Sequence, residues 1–134
     1  MALDVKQVST AALAYLGDGV WELLVRQMLV EKGIADSRHL NTEALHFVTA
    51  SAQAAAVKKI LTALSEEEDA VYRRGRNIGH TNVPKHATVM EYRMATGLEA
   101  LFGYLHLTGR TDRTKELFDY AFRIGEENDE QSQG

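Results

Sequence analysis

The sequence predicts an all-α domain of about six helices. Three observations carry that expectation. Apolar residues recur at three- and four-residue spacing, and no alternating strand pattern appears. The one proline, Pro84, falls between helical stretches. Residues 9–31 read as one long helix, apolar on nearly every side, opening near Ser9 or Thr10 and stopped by Gly33. A helix of that kind is expected to be buried, with Leu13, Leu16, Val20 and Leu24 as its core stripe. Ser37 is the expected cap of a second helix to about Phe47, and a third runs from about Ala50 to Leu64. Ser65-Glu66-Glu67-Glu68 is a capping-box pattern that opens a fourth helix toward Arg74. From Gly75 to about Ala87 glycines, Asn77, Asn82 and Pro84 predict a loop. A long helix follows to about Leu107, then a break at Gly109, then a last helix from about Asp112 to Ile124 ended by Gly125.

A chain of 134 residues suits one domain, taken as residues 1–125, with an acidic tail over 126–134 that is expected to be disordered. Apolar residues at 45% and charged residues at 25% are the balance of a globular protein. The absence of cysteine excludes disulfide frameworks, thiolate zinc sites, iron–sulfur clusters and cysteine nucleophiles. No apolar run is long enough to span a bilayer, and Asp4 and Lys6 interrupt the start where an export signal would be continuous. The expectation is a cytoplasmic protein with no membrane partner.

The net charge of −4 conceals a basic region. Glu126, Glu127, Asp129 and Glu130 account for all of it, which leaves 15 acids against 15 bases over residues 1–125. Arg73, Arg74, Arg76, Lys85 and Arg93 fall in a 21-residue window whose one acid is Glu91. Glycines and asparagines among them, Asn77 included, let backbone approach a phosphate. Binding there would be electrostatic and salt-sensitive. A solvated charged loop is the ordinary reading of such a cluster. His80 and His86 lie in the same window, but no third ligand stands at a convincing spacing for a metal.

Two carboxylates sit where a core helix does not favour them. Gly17-Asp18-Gly19 interrupts the first long helix, and each glycine costs close to 1 kcal/mol there relative to alanine. Asp18 lies off the expected core stripe, on a face with Ala11, Ala14 and Glu22. Its ordinary reading is an Asp bonded to a neighbouring helix, with the glycines allowing close packing. Glu22 reads as the partner of Arg26 one turn on. Glu99 stands between Gly97 and Gly103 in the second long helix. One such acid is unremarkable, but one on each of two core helices suggests a pair meeting across a helix–helix contact. Two facing carboxylates repel unless one protonates or a cation lies between them. An all-oxygen site points to magnesium or manganese.

Ala14-Tyr15-Leu16-Gly17-Asp18-Gly19-Val20 resembles the signature helix of ribonuclease III, Glu-Phe-Leu-Gly-Asp-Ala-Val. Thr96 to Gly103 is similar to that family's second acidic motif, Asp-x-x-Glu-Ala-x-x-Gly. The short chain, Arg74-Gly75-Arg76-Asn77 and Tyr92-Arg93 ahead of Glu99 narrow the resemblance to the Mini-ribonuclease III branch. It covers roughly residues 10–125. It implies the ribonuclease III endonuclease fold of six to seven helices, a homodimer, and cleavage of double-stranded RNA to 5′-phosphate ends with Mg2+, or Mn2+. Asp18 and Glu99 fall on the catalytic, metal-holding carboxylates. Ala11, Ala14 and Thr96 stand where larger enzymes carry further acids, so water or RNA must complete a metal's shell. Arg73, Arg74, Arg76, Asn77, Lys85 and Arg93 are the expected RNA contacts, and Tyr15 falls on the position of an interface aromatic. The implied substrate is a stem of the 23S ribosomal RNA precursor, with a ribosomal protein or pre-ribosome as further partner. A catalytically silent RNA-binding or ribosome-associated scaffold of the same fold is the alternative.

Overall fold

The computed structural model describes residues 3–78 and 85–122. The acidic tail, His80, Asn82, Pro84 and the predicted stop at Gly125 lie outside them. A 3-10 turn at Val5–Gln7 leads into α1 (Thr10–Glu31), α2 (Ser37–Val48) and α3 (Ala50–Ile60), which runs on into a second 3-10 turn at Leu61–Ala63. Then come α4 (Glu66–Arg76), α5 (Val89–Leu107) and α6 (Thr111–Phe122). Among the described residues there is no strand, and the all-α expectation holds.

Side chains near the helix ends explain where the helices start and stop. Ser9 Oγ accepts from the Ala12 N–H at 3.0 Å and opens α1. Gly33 and Gly109 take positive φ of 89° and 79° after α1 and α5, a backbone that glycine enters freely. The expected box is present: Ser65 Oγ accepts from the Glu68 N–H, and Glu68 accepts from the Ser65 N–H at 2.8 Å. A second box, Thr88 with Glu91, opens α5 and was not anticipated. The cap of α2 is Asp36 rather than Ser37, because Asp36 keeps extended backbone and accepts from the His39 N–H. The basic segment also needs correction, since α4 continues to Arg76. Arg73, Arg74 and Arg76 therefore stand on the last turns of a helix rather than in a loop.

α5 is the axis of the fold, with ten buried residues and α1, α3 and α4 packed around it. Its contact with α1 is backbone against backbone. A Cβ added to Gly17 would lie 1.6 Å from the Glu99 carbonyl oxygen, and one added to Gly103 would lie 1.9 Å from that of Leu13. Gly75 of α4 meets Gly97 and Ala100 of α5 in the same manner. Gly19 differs, with nothing within 4 Å of its Cβ position, so close packing explains Gly17 but not Gly19.

The side of α1 that is buried is not the expected stripe. Leu13, Ala14, Gly17, Trp21, Val25, Met28 and Leu29 face inward, while Leu16, Val20 and Leu24 are half-buried on the flank. Tyr15, Leu23 and Val30 are exposed. On a helix apolar all round, hydrophobicity does not select the face; the close approach to α5 does, through Ala14 and Gly17. Trp21 anchors the other end of the core. It meets Phe102 and Phe118 edge-on at 5.2 and 5.1 Å, and its Nε1–H donates to the Phe47 carbonyl at 2.8 Å.

Glu68 joins two parts of the fold. Besides closing its box it accepts from Arg113 Nε and Nη2 at 2.8 and 2.9 Å, and Arg113 Nη2 also donates to the Ala63 carbonyl. Arg113 holds the Glu68 carboxyl below the usual carboxylate range. α6 is thereby fixed to the start of α4.

Gly17→Ala is expected to cost more than about 4 kcal/mol of stability, because backbone rather than a pliable side chain occupies the space. Gly19→Ala, two residues away, should lose none. Chemical denaturation of both variants checks the contrast.

Candidate active site

Because Gly17 brings α1 against the Glu99 backbone, Asp18 follows it directly to the Glu99 side chain. The two carboxylates line one cleft, close enough for the Asp18 charge to act on Glu99. Burial is the larger influence on Glu99 and the Asp18 charge the next, and together they push its pKa up to about 8. Gln53 of α3, buried beside α5, acts in the opposite sense and lowers it. Asp18 is exposed and Glu99 half-buried, so the pair is reachable from solvent.

Both line a shallow cleft of about 310 Å3 together with Ala11, Ala14 and Thr96. These are the three positions where the resemblance implies missing acids, and the structure gathers all of them around the pair. Thr96 turns its hydroxyl back to donate to the Tyr92 carbonyl at 3.0 Å. Tyr15, Ile78 and Tyr92 also line the cleft. Glu22 pairs with Arg26 at 3.4 Å, the structural role expected of it.

Among the described residues, no group of three or more His, Asp or Glu side chains is placed to hold a metal. The residues present nevertheless fit a hard divalent cation. Two carboxylates are held together where one of them keeps a proton to about 8, and a cation relieves that repulsion with its remaining positions filled by water. Asp18 and Glu99 would hold it.

Among the described residues, no basic side chain lines this cleft. Asn77 caps α4 one residue before Ile78, and Arg93 follows Tyr92 on α5, so both flank lining positions. Arg74, Lys85 and Arg93 are exposed. Arg73 is paired with Asp69 at 2.8 Å. Arg76 lies over the Tyr72 ring at 5.9 Å, and its Nε donates to Asn77 Oδ1. Arg73 and Arg76 line a separate 430 Å3 cleft that also contains Glu66 and Asp69.

Gln53 was missed in the sequence. A lone glutamine in the Ala-rich segment Ala50-Ser51-Ala52-Gln53-Ala54 carries no motif, and the one available signal was its place on the buried side of that helix.

A helical domain whose two central helices cross at glycines and present a carboxylate pair beside a basic helix end is the arrangement of a ribonuclease III domain. Residues 11–110 match the Ribonuclease III domain family, and the chain belongs to that family of endoribonucleases. Within it the chain groups with the Mini-ribonucleases. It is 42% identical to the Mini-ribonuclease 3 of Enterococcus faecalis over 94% of this chain and 98% of that one. It is 45% identical to that of Symbiobacterium thermophilum over 81% and 84%. A solved structure of a protein from Fusobacterium nucleatum superposes with a TM-score of 0.80 at 33% identity, covering 90% of this chain and 96% of that one.

The Glu99 shift sets a pH dependence in metal-free protein. Between the ordinary value of 4.5 and about 8 the folded chain holds a proton that the unfolded chain has released, so stability falls as pH rises through that window. Glu99→Gln should remove the slope. In chelator it is expected to melt with wild type near pH 5 and about 5 °C higher at pH 9, read by thermal melts across the range.

Proposed function

We propose that this protein is a homodimeric, divalent-metal-dependent endoribonuclease that cuts double-stranded RNA, with Asp18 and Glu99 as its catalytic and metal-holding residues. The observation that carries this reading is the contact of those two carboxylates in an open cleft, with Glu99 held protonated to about 8 in the absence of a cation. A site that raises a carboxyl pKa by burial and a like charge is costly to maintain and suits catalysis better than scaffolding. That argues against the silent-scaffold reading.

Mg2+, or Mn2+, would supply positive charge at the scissile phosphate and an oriented water. Asp18 and Glu99 would hold the ion, and Ala11, Ala14 and Thr96 would leave the rest of the cleft to water and RNA phosphate. In-line attack of water on phosphorus breaks the bond to the 3′-oxygen and leaves a 5′-phosphate and a 3′-hydroxyl. Arg73, Arg74, Arg76, Asn77, Lys85 and Arg93 contact the RNA backbone. A-form duplex offers phosphates and 2′-hydroxyls across a shallow groove, so recognition is by shape. The dimer forms on the exposed face of α1, where Tyr15, Leu23 and Val30 are 86%, 64% and 62% exposed. Two symmetric sites then cut one strand each. The substrate in the cell is a stem of the 23S ribosomal RNA precursor in the cytoplasm, met with a ribosomal protein or within the pre-ribosome.

Glu99→Ala and Asp18→Asn are expected to remain folded, dimeric and RNA-binding while losing at least about a hundredfold in duplex cleavage. A cleavage assay with Mg2+ and with chelator reads this, and full activity in either variant would overturn the site. Arg74→Ala with Arg76→Ala should weaken binding and reduce the slope of log affinity against log salt by about one to two. Binding titrations at several salt concentrations measure it. A 23S precursor stem cut no faster than an unrelated duplex of equal length would remove that substrate.

A further inference from the structure

Tyr72 stands on α4 one turn before Arg76 and is 3% exposed. Its ring packs on the backbone of α5, where a Cβ added to Gly97 would lie 2.7 Å from Tyr72 Cε1 and 2.8 Å from Cδ1. With no space between ring and main chain, the ring is fixed in place. Arg76 is half-buried, and its guanidinium carbon lies 5.9 Å from the centre of that ring. Its Nε donates to Asn77 Oδ1 at 3.2 Å. The guanidinium is thus held by a ring and by an amide oxygen, while Nη1 and Nη2 make no hydrogen bond among the described residues.

Arg73 differs in kind. It lines the same 430 Å3 cleft as Tyr72 and Arg76, but Asp69 matches its charge at 2.8 Å. Among the described residues no acid pairs with Arg76. One arginine of the cleft is neutralised, and the other is charged, oriented and left with two donors unspent. A phosphate takes a guanidinium best through two parallel N–H bonds, and a guanidinium of fixed plane presents them without further ordering.

We propose that Tyr72 is a positioning residue of the RNA interface, its ring holding the Arg76 guanidinium in one orientation so that both Nη groups meet one phosphate of the duplex. The role rests on the reading of Arg76 as an RNA contact.

The test is titration of an RNA duplex in chelator, where no cleavage competes. The proteins compared are wild type, Tyr72→Phe, Tyr72→Leu, Arg76→Lys, Arg76→Ala and Tyr72→Leu combined with Arg76→Ala. Tyr72→Phe keeps the ring and should bind within about twofold of wild type. Tyr72→Leu removes the ring and leaves every charge, and is expected to bind about three- to fivefold more weakly. The same step made in Arg76→Ala should cost nothing further, because no guanidinium remains to be placed. Arg76→Lys leaves the core untouched and keeps the charge, yet should also lose about three- to fivefold, since an ammonium has no planar fork. Equal penalties for Tyr72→Leu with and without Arg76 assign the ring to packing and overturn the role. A loss in Tyr72→Phe as large as in Tyr72→Leu assigns the effect to the hydroxyl and overturns it too. Wild-type affinity in folded Tyr72→Leu does the same, as does wild-type affinity in Arg76→Lys even where Tyr72→Leu does not fold. Wild-type affinity in Arg76→Ala removes Arg76 from the interface and the role with it, and leaves the carboxylate site standing. Wild type that binds no duplex sinks the role and the RNA reading together.

Discussion

The close crossing of α1 and α5 is the constraint on which the rest of the structure depends. Gly17 and Gly103 remove the side chains that would hold the two helices apart, and backbone then meets backbone. The approach fixes the rotation of α1 and so which residues it buries. It also sets the chemistry, because Gly17 packs on the Glu99 main chain and so puts its neighbour Asp18 at the cleft that the Glu99 side chain lines. Packing and site formation are one event here, and a change made to relieve either is felt by both.

That coupling accounts for the character of the site. Two acids are forced together by a contact that the fold needs for other reasons, and the surrounding positions, Ala11, Ala14 and Thr96, are small or turned away. Beyond the pair, no other charged side chain among the described residues lines the cleft. A site so lightly furnished depends on accurate placement of the few groups it has.

Much of this was legible in the residues, and the gaps have physical causes. Helix existence followed from periodicity, and the Ser65–Glu68 box and the Gly33 and Gly109 stops followed from local chemistry that needs no tertiary context. The pairing of Asp18 with Glu99 could be anticipated because carboxylates flanked by glycines are out of place in core helices. The face of α1 could not, since nearly every side of it is apolar and the decision lies with α5. Gly17 and Gly19 look equivalent in sequence, and only the neighbouring helix separates them. Glycines, Asn77, Asn82 and Pro84 predict a loop from Gly75 onward, which takes Arg76 out of the helix. In the fold Gly75 is an interhelical contact against Gly97 and Ala100. Gln53 carries no motif, and its place on the buried side of α3 is the one signal it offers.

The crossing also has a consequence in time. Asp18 and Glu99 stand about 80 residues apart, so the chain must close a long loop before they meet, at an entropic cost that local helix formation does not repay. During synthesis α1 emerges early, with Asp18 in place on it, and waits for the segment that completes the cleft. A nascent or broken chain that lacks α5 holds half of the carboxylate pair and none of the backbone contact that would bring it into register. The cleft is thus assembled only when α5 has packed onto α1, and no piece of the chain that stops short of Glu99 contains it.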